Sequence, residues 1–98
     1  MHFIIYSGFD RDADISVVKQ IQKILDNKKA TYSLASYRES GFVGMSYNKF
    51  SDVVGDADVV IVVGGDGTVL RAAEGITEAG LETPIFAVNR SEERRVGK

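Results

Sequence analysis

Five consecutive β-branched residues, Val59-Val60-Ile61-Val62-Val63, run directly into Gly64-Gly65-Asp66-Gly67-Thr68, and this junction constrains the chain more than any other segment. An unbroken run of such side chains suits a strand covered on both faces, as in a parallel sheet flanked by helices. Glycines at its end permit positive φ and remove the β-carbon, so the backbone can close around a ligand. Apolar residues then recur at 69, 70, 73 and 76, which predicts a helix beginning near Thr68 and ended by Gly80. Thr83-Pro84 leads from there into a further strand over residues 85–88.

The preceding sequence supplies matching units. Phe3-Ile4-Ile5-Tyr6, stopped by Ser7-Gly8, reads as a buried first strand. Asp10, Asp12 and Asp14 place negative charge where a helix N-terminus favours it, and Ile15, Val18, Ile21 and Leu25 form an apolar stripe running to about Lys29. Residues 30–36 alternate around Tyr32 and Leu34 as a second strand, whereas 37–50 mix glycines with Tyr37, Phe42, Tyr47 and Phe50 and read as irregular and partly exposed. These aromatics are expected to pack rather than to stack on a base. The sum is an α/β layered fold with a mostly parallel sheet.

Composition narrows the chemistry. The 98 residues include no Cys and one His, His2, so a disulfide framework, a thiolate nucleophile and a histidine metal cluster are all excluded. A reducing, cytoplasmic setting is expected. No apolar run approaches the ~20 residues of a membrane helix. Of the 12 basic and 14 acidic residues, positions 90–98 hold four and two, leaving 8 against 12, a net charge of −4, over residues 1–89. An acidic domain without a basic stripe is a poor nucleic-acid binder.

In open parallel sheets ligands sit beyond the carboxyl ends of the strands, where Gly64, Gly65 and Gly67 fall. Amides in a glycine turn, together with the positive end of the following helix, suit phosphate oxygens. Asp66 does not, because a carboxylate repels phosphate; it suits a loop that also takes a proton from a hydroxyl or helps to hold magnesium. Together these features suggest phosphoryl transfer to an alcohol. On spacing alone, a tight strand-to-helix turn capped by Asp66 or Thr68 stays open, as does a non-catalytic phosphate-binding module.

Residues 62–73, Val-Val-Gly-Gly-Asp-Gly-Thr-Val-Leu-Arg-Ala-Ala, resemble the signature of the NAD kinases, and Thr83-Pro84-Ile85-Phe86-Ala87-Val88-Asn89 is similar to the strand that follows it in that family. Gly-Gly-Asp-Gly-Thr alone is shared with diacylglycerol- and sphingosine-type lipid kinases, which form the alternative; the continuation Leu70-Arg71-Ala72-Ala73 is that of the NAD kinases. The resemblance implies a three-layer Rossmann-like domain, the N-terminal half of the NAD kinase fold. It implies transfer of phosphate from ATP or polyphosphate to the 2′-hydroxyl of the adenosine ribose of NAD, giving NADP, with a divalent metal such as Mg2+ and a homo-oligomeric full-length protein. By the same resemblance Asp66 is the catalytic carboxylate. Gly64, Gly65, Asp66, Gly67, Thr68, Arg71 and Asn89 are then the nucleotide-binding positions, with no dedicated metal ligands. Ser7 to Arg11 read as a surface turn at the same sheet edge.

The family pattern breaks after Asn89, where a Gly-x-Leu-Gly-Phe-Leu segment is expected and Arg90-Ser91-Glu92-Glu93 stands instead. Residues 90–98 resemble the translated adapter of a sequencing library, so the expectation is a non-native tail on an incomplete domain spanning 1–89. The Asn-Glu or Asn-Asp pair and the β-rich C-terminal domain of the family are also absent. The fragment alone is therefore expected to be inactive.

Overall fold

The computed structural model describes residues 1–9, 12–36 and 47–89. Five parallel strands form one sheet in the order β3-β2-β1-β4-β5. In chain order the elements are β1 (His2–Ser7), α1 (Asp12–Asn27), β2 (Thr31–Ser36), β3 (Asn48–Lys49), α2 (Phe50–Val53), a 3-10 turn (Val54–Asp56), β4 (Val59–Gly64), α3 (Asp66–Glu78) and β5 (Ile85–Asn89). This is the α/β, parallel-sheet architecture expected from the patterning, and it is Rossmann-like, as the resemblance implies.

Alternation along the central strands divides the core in two. Ile4, Tyr6, Val60 and Val62 face α2 and α3, where they pack with Phe50, Val54, Ala72 and Ile76. Ile5, Ile61 and Val63 face α1, with Phe9, Val18 and Leu25. The run 59–63 is apolar throughout because both of its faces are covered.

From β1 the chain crosses through α1 to β2 on one side, and from β4 through α3 to β5 on the other. Right-handed crossovers running in opposite directions put α1 and α3 on opposite faces and leave a crevice between the carboxyl ends of β1 and β4. There Ser7 pairs with Val63, and Gly64 pairs with Asn89 on the other side.

Local chemistry sets the element ends. Gly80 takes φ +74 after α3, with its amide donating to the Thr77 carbonyl and that of Leu81 to Ile76, a Schellman closure. The same closure ends α1, where Lys29 and Ala30 donate to Asp26 and Leu25. At the same amino-terminal end of the strands the His2 ring lies between the Thr31 and Ser33 hydroxyls, at 2.9 and 3.1 Å.

Three features differ from the sequence reading, the first being a fifth strand, β3, within the stretch read as irregular. Phe50 is buried in the core and begins a short helix rather than ending an irregular stretch. The third helix begins at Asp66, with Gly65 as its N-cap and no side-chain capping bond, so neither Asp66 nor Thr68 caps it. Phe50 ranks with the packing aromatics, as do the partly buried Tyr32 and Tyr47; Tyr37 and Phe42 lie outside the described residues. Among the described residues no helix is long and apolar enough to cross a membrane.

Candidate active site

The glycine turn is built by close packing on one side and openness on the other. Gly64 ends β4 with φ +152, and a β-carbon there would lie 2.8 Å from Thr68 Oγ1 and 3.1 Å from Thr68 Cβ. Thr68 thus closes over the strand end, and only glycine fits beneath it. The Thr68 and Val69 amides both donate to the Gly65 carbonyl, at 3.1 and 3.2 Å, which starts the helix immediately.

Gly67 is the reverse case. Among the described residues nothing lies within 4 Å of where its β-carbon would be. Among the described residues neither packing nor left-handed backbone requires glycine here, and the bare backbone is open to solvent. Asp66 and Gly67 are exposed in the first turn of α3, whose leading amides find no carbonyl within the helix. Donors, helix dipole and a carboxylate therefore converge at the crevice edge, a combination able to hold phosphate oxygens and accept a hydroxyl proton.

The structure brings Gly64, Gly65, Asp66, Gly67 and Thr68 together, and the strand register adds Asn89 beside Gly64. It does not bring in Arg71. Five residues along a helix rotate a side chain by about 140°, so Asp66 and Arg71 occupy different flanks of α3. Arg71 lines a cavity of about 650 Å³ between α2 and α3, with Tyr6, Lys49, Phe50, Glu74 and Glu78 among its walls. The sequence reading missed this cavity because it treated the stretch through Phe50 as irregular.

The loop after β1 also reaches the crevice. Ser7 is fully buried there, and its Oγ accepts the Phe9 amide at 3.2 Å. Phe9, at φ +53, stacks on Tyr47 with ring centroids 5.2 Å apart. The start of this loop is therefore packed rather than a free surface turn; Asp10 and Arg11 lie outside the described residues.

No cluster of three or more metal-ligating side chains occurs among the described residues. The donor set still suits Mg2+ carried on nucleotide phosphates, since that ion commonly takes only one or two carboxylates from the protein and Asp66 offers one.

The model of the ATP-NAD kinase N-terminal domain matches residues 13–93. The NAD kinase of Agathobacter rectalis is 31% identical over 90 residues, covering 90% of this chain and 30% of that protein. The NAD kinase of Lachnoclostridium phytofermentans is 32% identical over 88 residues, covering 89% of this chain and 29% of the relative. The bifunctional NADP phosphatase/NAD kinase of Methanococcus maripaludis is 33% identical over 91 residues, covering 90% and 16%. The chain thus spans less than a third of the length of these relatives. The match over residues 13–93, on a parallel α/β sheet with a glycine turn at its switch point, makes this chain a member of the ATP-NAD kinase family, corresponding to its N-terminal domain.

Proposed function

We propose that this domain contributes the catalytic carboxylate and a phosphate-binding turn to an NAD kinase, which transfers phosphate from ATP or polyphosphate to the 2′-hydroxyl of the adenosine ribose of NAD. The openness at Gly67 carries this reading. Among the described residues nothing packs where its side chain would be, and in this reading its bare backbone, next to an exposed carboxylate at a helix N-terminus, admits a phosphorylated ligand.

In this scheme Asp66 accepts the 2′-hydroxyl proton as the ribose oxygen attacks the terminal phosphorus. The new O–P bond forms as the bond to the bridging oxygen breaks, and ADP or shortened polyphosphate leaves. First-turn amides of α3 face the transferred phosphate, and Gly64 with Thr68 holds the turn that presents them. Mg2+, when bound with the nucleotide, neutralises phosphate charge. Asn89 closes the β5 end of the site; Arg71, on the other flank of α3, is not assigned to NAD. The 98-residue chain by itself gives no turnover in this scheme, in keeping with its spanning less than a third of the relatives' length.

The test is a chimera in which residues 1–89 replace the matching segment of the Agathobacter rectalis enzyme. NADP formation is expected from NAD and ATP. Asp66→Asn should lower kcat by about 10³-fold while NAD affinity stays within a few-fold. Near-normal turnover by that variant would make Asp66 structural.

A further inference from the structure

In-line phosphoryl transfer puts the attacking and leaving oxygens on opposite sides of the phosphorus. In the reaction proposed above Asp66 takes the hydroxyl proton, so the acceptor approaches α3 on the Asp66 flank. The leaving group then lies on the other side. Because the first-turn amides of α3 point along the helix axis, a phosphate held by them is open to both flanks.

Arg71, turned about 140° from Asp66 around α3, lines the cavity of about 650 Å³ between α2 and α3. Glu74 and Glu78 continue the same wall, about 4.5 and 10.5 Å beyond Arg71 along the helix axis. Gly75 and Ala79 leave room between these charges, and Tyr6 and Phe50 add aromatic surface. Such a volume suits a small organic molecule, for which sites run to about 300–1,000 Å³.

Positive charge is placed unevenly around the sheet. Six Lys and Arg residues occur among the described residues. Lys19, Lys23, Lys28 and Lys29 lie in α1 or directly after it, and α1 covers the face opposite α3. Lys49 and Arg71 both line the cavity. Lys49 ends β3 in register with Ser36 at the carboxyl edge of the sheet, the level of the glycine turn.

The cavity is thus positive near the first turn of α3 and negative farther along, and that order selects a ligand. Arg71 and Lys49 suit an anionic end. Glu74 and Glu78 repel a phosphate chain but accept hydrogen bonds from sugar hydroxyls. A nucleoside triphosphate satisfies both halves, whereas polyphosphate, charged along its whole length, satisfies only the first.

Resting on the NAD kinase reading, we infer that the α2–α3 cavity seats the nucleoside half of the phosphate donor, and that Glu74 and Glu78 select a nucleoside triphosphate over polyphosphate. As the ribose oxygen attacks from the Asp66 flank, the bond from the terminal phosphorus to the bridging oxygen breaks. Its electron pair leaves with the nucleoside diphosphate, toward Arg71 and Lys49.

The experiment compares ATP with inorganic tripolyphosphate in the chimera described above. Glu74→Gln combined with Glu78→Gln should raise kcat/KM for tripolyphosphate relative to ATP by about tenfold or more. Arg71→Ala should raise KM for ATP by about tenfold while KM for NAD stays within about twofold. Lys23→Ala, on α1, should change neither. An unchanged donor ratio in the double variant, or an Arg71→Ala loss that falls on NAD, would overturn the inference.

Binding separates it from the kinase reading. ATP with Mg2+, titrated into the 98-residue chain, should move the amide NMR signals of Lys49, Arg71, Glu74 and Glu78 and leave those of Lys19 and Lys23 in place. That pattern beside a chimera that makes no NADP supports the cavity and overturns the kinase reading. NADP formation with ATP-induced shifts absent from the cavity residues overturns the cavity and leaves the kinase reading intact.

Discussion

Gly64 and Thr68 form a lock at the end of β4: the threonine Oγ1 stands 2.8 Å from where a β-carbon on Gly64 would sit, in a backbone at φ +152. Gly67, three residues on, has open space at the same test. Two glycines of one motif thus meet different surroundings.

That difference separates folding from binding. Gly64→Ala combines strain with overlap and should cost about 2 kcal/mol or more of stability. Gly67→Ala should leave stability unchanged or raise it by up to about 0.5 kcal/mol, through helix propensity. In the chimera, Gly67→Ala should nevertheless weaken nucleotide binding by about tenfold or more through the added methyl. Urea denaturation paired with calorimetric titration checks both halves. Unaltered affinity in Gly67→Ala would mean that no ligand approaches there.

Gly75→Ala tests packing against propensity. Alanine is favoured over glycine in a helix by about 1 kcal/mol. Here its methyl would meet the Phe50 ring at 2.7 Å, and that ring is held against Tyr6 with centroids 4.6 Å apart. Overpacking should win, for a net loss of about 1–2 kcal/mol. Combining it with Phe50→Ala should make the added methyl favourable in a double-mutant cycle.

Lys29→Gly should stabilise the protein. Lys29 adopts φ +58 in the closure of α1, a conformation glycine takes without a β-carbon penalty. After subtracting the greater freedom of glycine in the unfolded chain, about 0.5–1 kcal/mol remains. A rise in the urea midpoint at constant slope is the expected result.

Asp58→Ala should cost about 1 kcal/mol, the net worth of one hydrogen bond. Asp58 Oδ2 accepts the His2 amide at 2.7 Å, and the Asp58 amide donates to the His2 carbonyl at 2.8 Å, so the side chain completes the first rung between β1 and β4. Asp58→Asn keeps an acceptor and should recover part of that loss. Hydrogen exchange at the His2 and Phe3 amides reads the effect locally.

What the sequence by itself determined is local in origin. The β-branched run declared a strand buried on both faces, the stripe through Val18 and Leu25 declared α1, and Gly80 declared the end of α3. Each follows from side-chain periodicity or from a backbone conformation available to one residue type. Tertiary structure alone decided the strand order, which makes the ends of β1 and β4 neighbours, and the burial of Phe50 against a helix glycine 25 positions away. It also started α3 at Asp66 and turned Arg71 to a different flank from Asp66. These features depend on contacts between residues distant in the chain, where neither propensity nor spacing says which surfaces meet.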